Sequence, residues 1–440
     1  MEKEAIARCC TARRNTVPAM SKQGSDVKGL RRIGGEFVRN APSLGFGLLA
    51  QMFSAATNFG LVVIGGQVLG PSGLGTLLIG FAAYVLLLGF MRALVTEPLV
   101  ASSSSREPSE RALSANAALT LALVSSLVAA GLLAAISLVL PTQIGRGMLL
   151  FSPWLMPALV QDLARSIVFR DRAGGSAVFS DAAWLVTMAA ATPFAVATES
   201  DWVVVACWGL GALAGTSVAL SQLGWRPIRI GRAVTRWKVD ARPLAGWLGA
   251  QALLYNGVTY ATVLLLAGIL GSKDYGGLRA VQSVYAPLSL LGPALALPGL
   301  PLVSRLVVDA RSRALRVSVQ FAVLITVVTT VYVVAVYAVP DVLAFFFGQE
   351  FAEFDAIIIP IGLWQILAAP AFGLTLFLKA EQRGRALLWL GTFYAVVYLV
   401  LTVALGSAFG LTGAAWGAVG AGVASVGALM FVFRPSTWRE

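Results

Sequence analysis

Long apolar runs recur along this chain from about residue 44 to residue 433, separated by connections too short to hold a soluble domain. A helix needs about 20 mostly apolar residues to cross roughly 30 Å of hydrocarbon, and lipid offers the backbone no hydrogen-bond partners. Runs of this length therefore predict membrane-spanning α-helices rather than strands. In order, the predicted spans are 44–69, 74–100, 113–140, 148–169, 176–197 and 202–223, then 244–270, 276–303, 316–339, 356–378, 386–408 and 411–433. The expected fold class is an all-α integral membrane protein with about twelve transmembrane helices. Only 12% of the residues are charged, against roughly 25% in an ordinary soluble domain.

The position of the charges predicts orientation. Of the 33 Lys and Arg residues, all but Arg92, Arg146, Lys273 and Arg279 fall at both termini or at alternate connections. By the positive-inside rule that side is cytoplasmic, so both termini lie inside and the number of spans is even. Acidic residues without basic company, Glu199, Asp201, Asp341, Glu350, Glu353 and Asp355, mark the opposite side. The net charge of +12 then reflects an anionic inner leaflet rather than a nucleic-acid partner. The expected organisation is a basic cytoplasmic tail over 1–43, a six-span lobe over 44–223, a basic cytoplasmic linker over 224–243, a second six-span lobe over 244–433 and a cytoplasmic C-terminus over 434–440.

The tail lacks the charge, apolar core and cleavage-site order of a signal peptide, and Met20 offers an alternative start. Val27, Leu30, Ile33 and Phe37 stand at near-helical spacing among basic residues. A helix lying on the membrane surface and a disordered tail are both compatible with that pattern, because Gly29, Gly34 and Gly35 weaken it. Cys9 and Cys10 in the tail and Cys207 in an apolar run imply no disulfide framework; the pair reads either as plain tail residues or as a lipidation site. With no histidine in the chain, His-based metal sites and triads are excluded. No metal or cofactor is expected, and the chain is not read as an enzyme.

The two halves resemble each other. Ala50-Gln51 recurs as Ala250-Gln251, and Pro98-Leu99-Val100 recurs as Pro301-Leu302-Val303. Between them, Leu69-Gly70, Gly75 and Leu77 recur as Leu270-Gly271, Gly276 and Leu278, so each half carries L-G-x4-G-x-L at its first outer hairpin. Since six spans bring each half back to the same side, the repeat is parallel, related by an axis along the membrane normal.

These residues also carry a resemblance to a known family. Leu48-Leu49-Ala50-Gln51 through Asn58, then Val68-Leu69-Gly70-Pro71-Ser72-Gly73-Leu74-Gly75, resembles the opening helix pair of polysaccharide-type flippases. These belong to the multidrug/oligosaccharidyl-lipid/polysaccharide (MOP) exporter superfamily. Phe347-Gly348-Gln349-Glu350-Phe351 is similar to an outer-loop G-x-x-[FY] element before the tenth helix. Gln161 through Arg165, with Asp181 and Trp184, is similar to a pattern in bacterial members. The resemblance covers residues 44–433 and implies two six-helix lobes around a cavity lined mainly by the first two helices of each lobe. It implies alternating access, polyprenyl-diphosphate-linked saccharides as cargo, and residence in a bacterial plasma membrane beside other polysaccharide-assembly proteins of the cell envelope.

Several residues are candidates for that work. Gln51, Ser54 and Asn58 share one face of the first span, and Gln251, Tyr255 and Thr259 share one face of the seventh. In lipid such faces must point inward, toward a helix contact or a wet cavity. Arg92 lies deep in the second span, where a guanidinium can hold a diphosphate or cap helix carbonyls. Arg279, with Gln282 three residues on, is read as a phosphate or sugar contact or as an interfacial anchor. Glu97 and Asp181 are candidates for coupling, whereas Asp162 and Arg165, three apart, read as a structural ion pair. Pro287, Pro293 and Pro298, with Pro301, predict a bent or broken eighth span, either a gate or a static kink.

The expected function is the transfer of a lipid-linked oligosaccharide or polysaccharide precursor from the cytoplasmic to the outer leaflet. The main alternative is a cation-coupled exporter of small molecules on the same fold. A membrane glycan polymerase needs a larger outer loop than this chain has, and a transport-inactive scaffold remains a further reading.

Overall fold

The structure is a computed structural model that describes residues 25–103, 107–171, 175–240 and 242–434. The chain divides into two compact units, residues 1–45 and 46–440. The described residues of the first unit, 25–45, are helical. Their side chains up to residue 44 lie outside the described residues.

The second unit is helical throughout its regular elements among the described residues. Helix α1 (Ser25–Met91) runs into a π-helical turn at Arg92–Thr96 and then α2 (Glu97–Ser103). Next come α3 (Pro108–Ser137), α4 (Thr142–Phe151), a 3₁₀ turn at Ser152–Trp154, α5 (Leu155–Asp171), α6 (Gly175–Thr198) and α7 (Asp201–Leu223). The short α8 (Ile230–Asp240) leads to α9 (Arg242–Val284), a 3₁₀ turn at Ala286–Leu290 and α10 (Leu291–Asp309). The chain ends with α11 (Arg311–Ala338), α12 (Val342–Phe347), a 3₁₀ segment at Gln349–Ile357, α13 (Ile358–Ala380) and α14 (Gly384–Val432). Among the described residues, eight helical stretches are long and apolar enough to cross a membrane.

Three of the longest helices are broken at glycine. Gly70 (φ 64°), Gly271 (φ 79°) and Gly410 (φ 63°) sit in the left-handed region, which costs a residue with a β-carbon but not glycine. At the first break Pro71 follows immediately, and its missing N–H is no loss in the first turn of a new helix. At the third break Leu401 and Leu405 carbonyls lie against Gly417 and Gly413, so the chain doubles back on itself.

The Gly70 and Gly271 breaks meet. A β-carbon on Gly75 would overlap the carbonyl of Ser272, and one on Gly276 would overlap the carbonyl of Pro71. The contact is reciprocal: the glycine five positions after each break touches the first residue after the other. Segment 342–357 packs over this end, with Phe347 against Gly66, Phe354 against Gly277 and the Phe346 carbonyl accepting from Gln67 Nε2 at 3.0 Å. Lys273 Nζ reaches Glu353 at 2.9 Å in the same region.

The opposite end is basic and holds the linker helix. Arg236 on α8 donates to Asp240 Oδ2 at 2.8 Å, to Ser114 Oγ at 3.1 Å and to Glu110. Burial alone would lower the Arg236 pKa, but Glu110 and Asp240 outweigh it and raise the value. The Trp237 indole N–H donates to the Leu94 carbonyl at 2.9 Å. Leu94 lies within the π-helical turn, whose widened ring offsets the usual backbone ladder. The largest core cluster includes Trp208, which is fully buried and packs against Tyr84 (5.0 Å between ring centroids) and Trp184 (5.2 Å). Edge-to-face rings of this kind add about 0.5–1.5 kcal/mol beyond area burial.

Candidate functional site

The polar face of α1 opens onto a cavity. Gln51, Ser54 and Asn58 line a space of about 370 Å³ together with Arg279 and Ser283 of α9 and Ser289 of the 3₁₀ turn. The turn begins where Pro287 removes a backbone donor, and it carries the lining from α9 toward α10. Arg279 is half-buried and donates from Nη1 to Gln282 Oε1 at 2.8 Å. Its Nε is buried and has no hydrogen-bond partner. Among the described lining residues Arg279 carries the only charge.

Gln51, Ser54 and Asn58 also border a second recess of about 180 Å³, which extends into the first half toward Tyr84, Arg92, Asp162, Arg165, Asp181 and Trp184. Its charges form one network. Arg92 grips Asp162 with two bonds, Nη2 to Oδ1 at 2.6 Å and Nε to Oδ2 at 2.9 Å. Arg165 bridges Asp162 Oδ1 at 3.2 Å and Asp181 Oδ2 at 3.3 Å. Gln161 Nε2 donates to Asp181 Oδ1 and to Ser180 Oγ, each at 3.0 Å. Two guanidinium groups therefore face two carboxylates, and the paired geometry of Arg92 on Asp162 is the strong, directional kind. Asp162 is only 6% exposed, whereas Arg92 is 44% exposed and reaches the recess.

The remaining candidates are placed as follows. Glu97 is exposed at the start of α2, and Thr259 is exposed on α9 and lines neither recess. Gln251, Tyr255, Pro293 and Pro298 have described backbones, in α9 and α10, but their side chains lie outside the described residues. Sequence reasoning kept Arg92, the Asp162–Arg165 pair and Asp181 apart, and the structure joins them. The available signal was electrostatic: lone charges buried at membrane depth require partners. Trp184 entered only through the family-like pattern it shares with Asp181, and Tyr84, Ser283 and Ser289 gave no sequence signal.

The fold is similar to that of solved transport proteins of the MOP superfamily. It matches the lipid II flippase MurJ in an inward closed conformation with a TM-score of 0.60, at 14% identity, covering 87% of this chain and 86% of that one. It also matches inward-facing and outward-facing structures of a multidrug resistance MATE family transporter. The inward-facing structure has a TM-score of 0.59 at 9% identity, covering 87% of this chain and 93% of that one. The outward-facing structure has a TM-score of 0.59 at 12% identity, covering 89% and 94%. A third match is a MOP superfamily transporter from Pyrococcus furiosus, with a TM-score of 0.56 at 11% identity, covering 89% and 95%. At these identities the shared property is the fold. No family profile and no curated protein matches the sequence.

Proposed function

We propose that this chain is a flippase that moves a polyprenyl-diphosphate-linked saccharide from the cytoplasmic to the outer leaflet of a bacterial plasma membrane by alternating access. Cutting the long helices at Gly70, Gly271 and Gly410, and counting 142–171 and 272–309 as one span each, gives twelve spans in two lobes of six. The repeated breaks and the reciprocal Gly75–Gly276 contact support a parallel pseudo-two-fold repeat. Both termini are then cytoplasmic, and the glycine contact closes the outer end.

The observation that carries the reading is the charge of the cavity walls. The larger cavity presents amides, hydroxyls and one guanidinium with a spare donor, while Asp162 and Asp181 are already paired with arginines. A diphosphate bearing a sugar chain cannot cross hydrocarbon without replacement of its water. Such a lining supplies the replacement while the prenyl tail stays in lipid. A drug exporter driven by a cation has use for an unpaired carboxylate in the cavity, and none is among the described lining residues.

Depletion of the protein followed by leaflet-resolved analysis of lipid-linked sugars tests the proposal. The expected result is accumulation on the cytoplasmic side. Unchanged sidedness together with altered drug efflux would assign the chain to cation-coupled export instead.

A further inference from the structure

A third cavity lies away from the proposed translocation path. It occupies about 450 Å³ at the basic end of the first half, among α3, the end of α5 and the end of α7. None of its lining residues borders the two recesses already described.

Its chemistry is divided. Its polar lining comprises Arg111, Arg226, Asn116 and Asp171, and Asn116 Oδ1 accepts from the Arg226 backbone N–H at 3.3 Å. Asp171 is held by Arg170 through two bonds of 2.8 Å, so it leaves Arg111 only a long contact of 3.7 Å. The Arg111 Nε is buried without a hydrogen-bond partner, and Arg226 is exposed. The described lining thus holds two guanidiniums and one carboxylate that Arg170 already neutralises, which leaves an excess of positive charge and a donor set suited to phosphate oxygens.

The other wall is apolar. Arg111, Ala115 and Leu119 follow one another at four-residue spacing on α3, so they share a face. From Arg111 to Leu119 that face runs about 12 Å along the helix axis at 1.5 Å per residue. Leu223 of α7 faces the same space. A free phosphate uses only the first part of such a pocket, whereas an acyl chain uses the second.

We propose that this pocket binds an anionic phospholipid, with its phosphate between Arg111 and Arg226 and an acyl chain along Ala115 and Leu119. The proposed orientation places it in the cytoplasmic leaflet, where anionic lipids gather and basic pockets between spans capture their headgroups. The binding itself does not depend on that orientation or on the cargo.

Thermal unfolding of the full chain in neutral detergent, with added phosphatidylglycerol, phosphatidylcholine or inorganic phosphate, tests it. Phosphatidylglycerol is expected to raise Tm by several degrees and the other two to leave it unchanged. The R111Q/R226Q variant should lose more than half of that rise, and R232Q/K238Q, which removes as much charge from exposed positions of α8, should keep it. If R111Q proves unable to fold, R226Q alone should still show a reduced rise. A full rise in R111Q/R226Q, an equal loss in R232Q/K238Q, or a full rise with inorganic phosphate alone would overturn the assignment.

Discussion

The two halves of the membrane region share a skeleton and differ in how they treat charge. Each breaks its first long helix at a glycine in the left-handed region, Gly70 or Gly271, and follows it with a second glycine that touches the other half. In the first half Arg92, Asp162, Arg165 and Asp181 bind one another across three helical segments. In the second half the only described charge facing the 370 Å³ cavity is Arg279, held by Gln282 and left with an unused donor. Arg311 and Arg383 pair with Glu381 at the basic end. Backbone geometry thus repeats while side-chain chemistry diverges: around the recess of the first half the charges pair with one another, whereas Arg279 of the second keeps an unused donor.

Breaking the network gives the largest test of this contrast. D162N leaves Arg92 and Arg165 short of counter-charge and should destabilise the protein by about 3 kcal/mol, the low end for a broken buried pair because Arg92 reaches the recess. Unfolding in detergent measures it, and wild-type stability in D162N would remove the distinction between the halves.

Next in size is the glycine contact. G75A or G276A inserts a methyl where a backbone carbonyl already lies, and overpacking costs about 1–3 kcal/mol. The population closed at that end should fall roughly 5- to 150-fold. Spin labels at S72C and K273C should report longer distances, and an unchanged distribution would show that the contact does not hold the halves together.

The smallest stability effect is expected from R279Q, within about 0.5 kcal/mol because it removes one side-chain bond. Its lipid-linked translocation should nevertheless fall about tenfold or more, since a bond to a charged group contributes about 1.5–3 kcal/mol. A stability loss equal to that of D162N would make Arg279 structural as well.

The residues that fix these features differ in how openly they declare themselves. Gly70 and Gly271 stand in a repeated motif, and the requirement for positive φ explains why the motif carries glycine. Gln51, Ser54 and Asn58 were legible as one face because helical spacing alone brings them together. The bond between Arg92 and Asp162 was not, because spacing reports which residues share a helix and not which helices face each other. Nor was the π-helical turn, since Arg92–Thr96 contains neither proline nor glycine to announce an irregularity. The linker helix α8 was hidden among basic residues that read equally well as a plain loop.

The meeting of Gly75 and Gly276 involves main-chain atoms only. It carries no net charge and no titratable group, so neither a proton gradient nor a membrane voltage pulls directly on it. Lys273, Glu353 and Glu350 flank it and make its rim sensitive to salt, while the latch itself is indifferent. In the proposed cycle, any driving force on charges therefore reaches this contact only through other parts of the molecule.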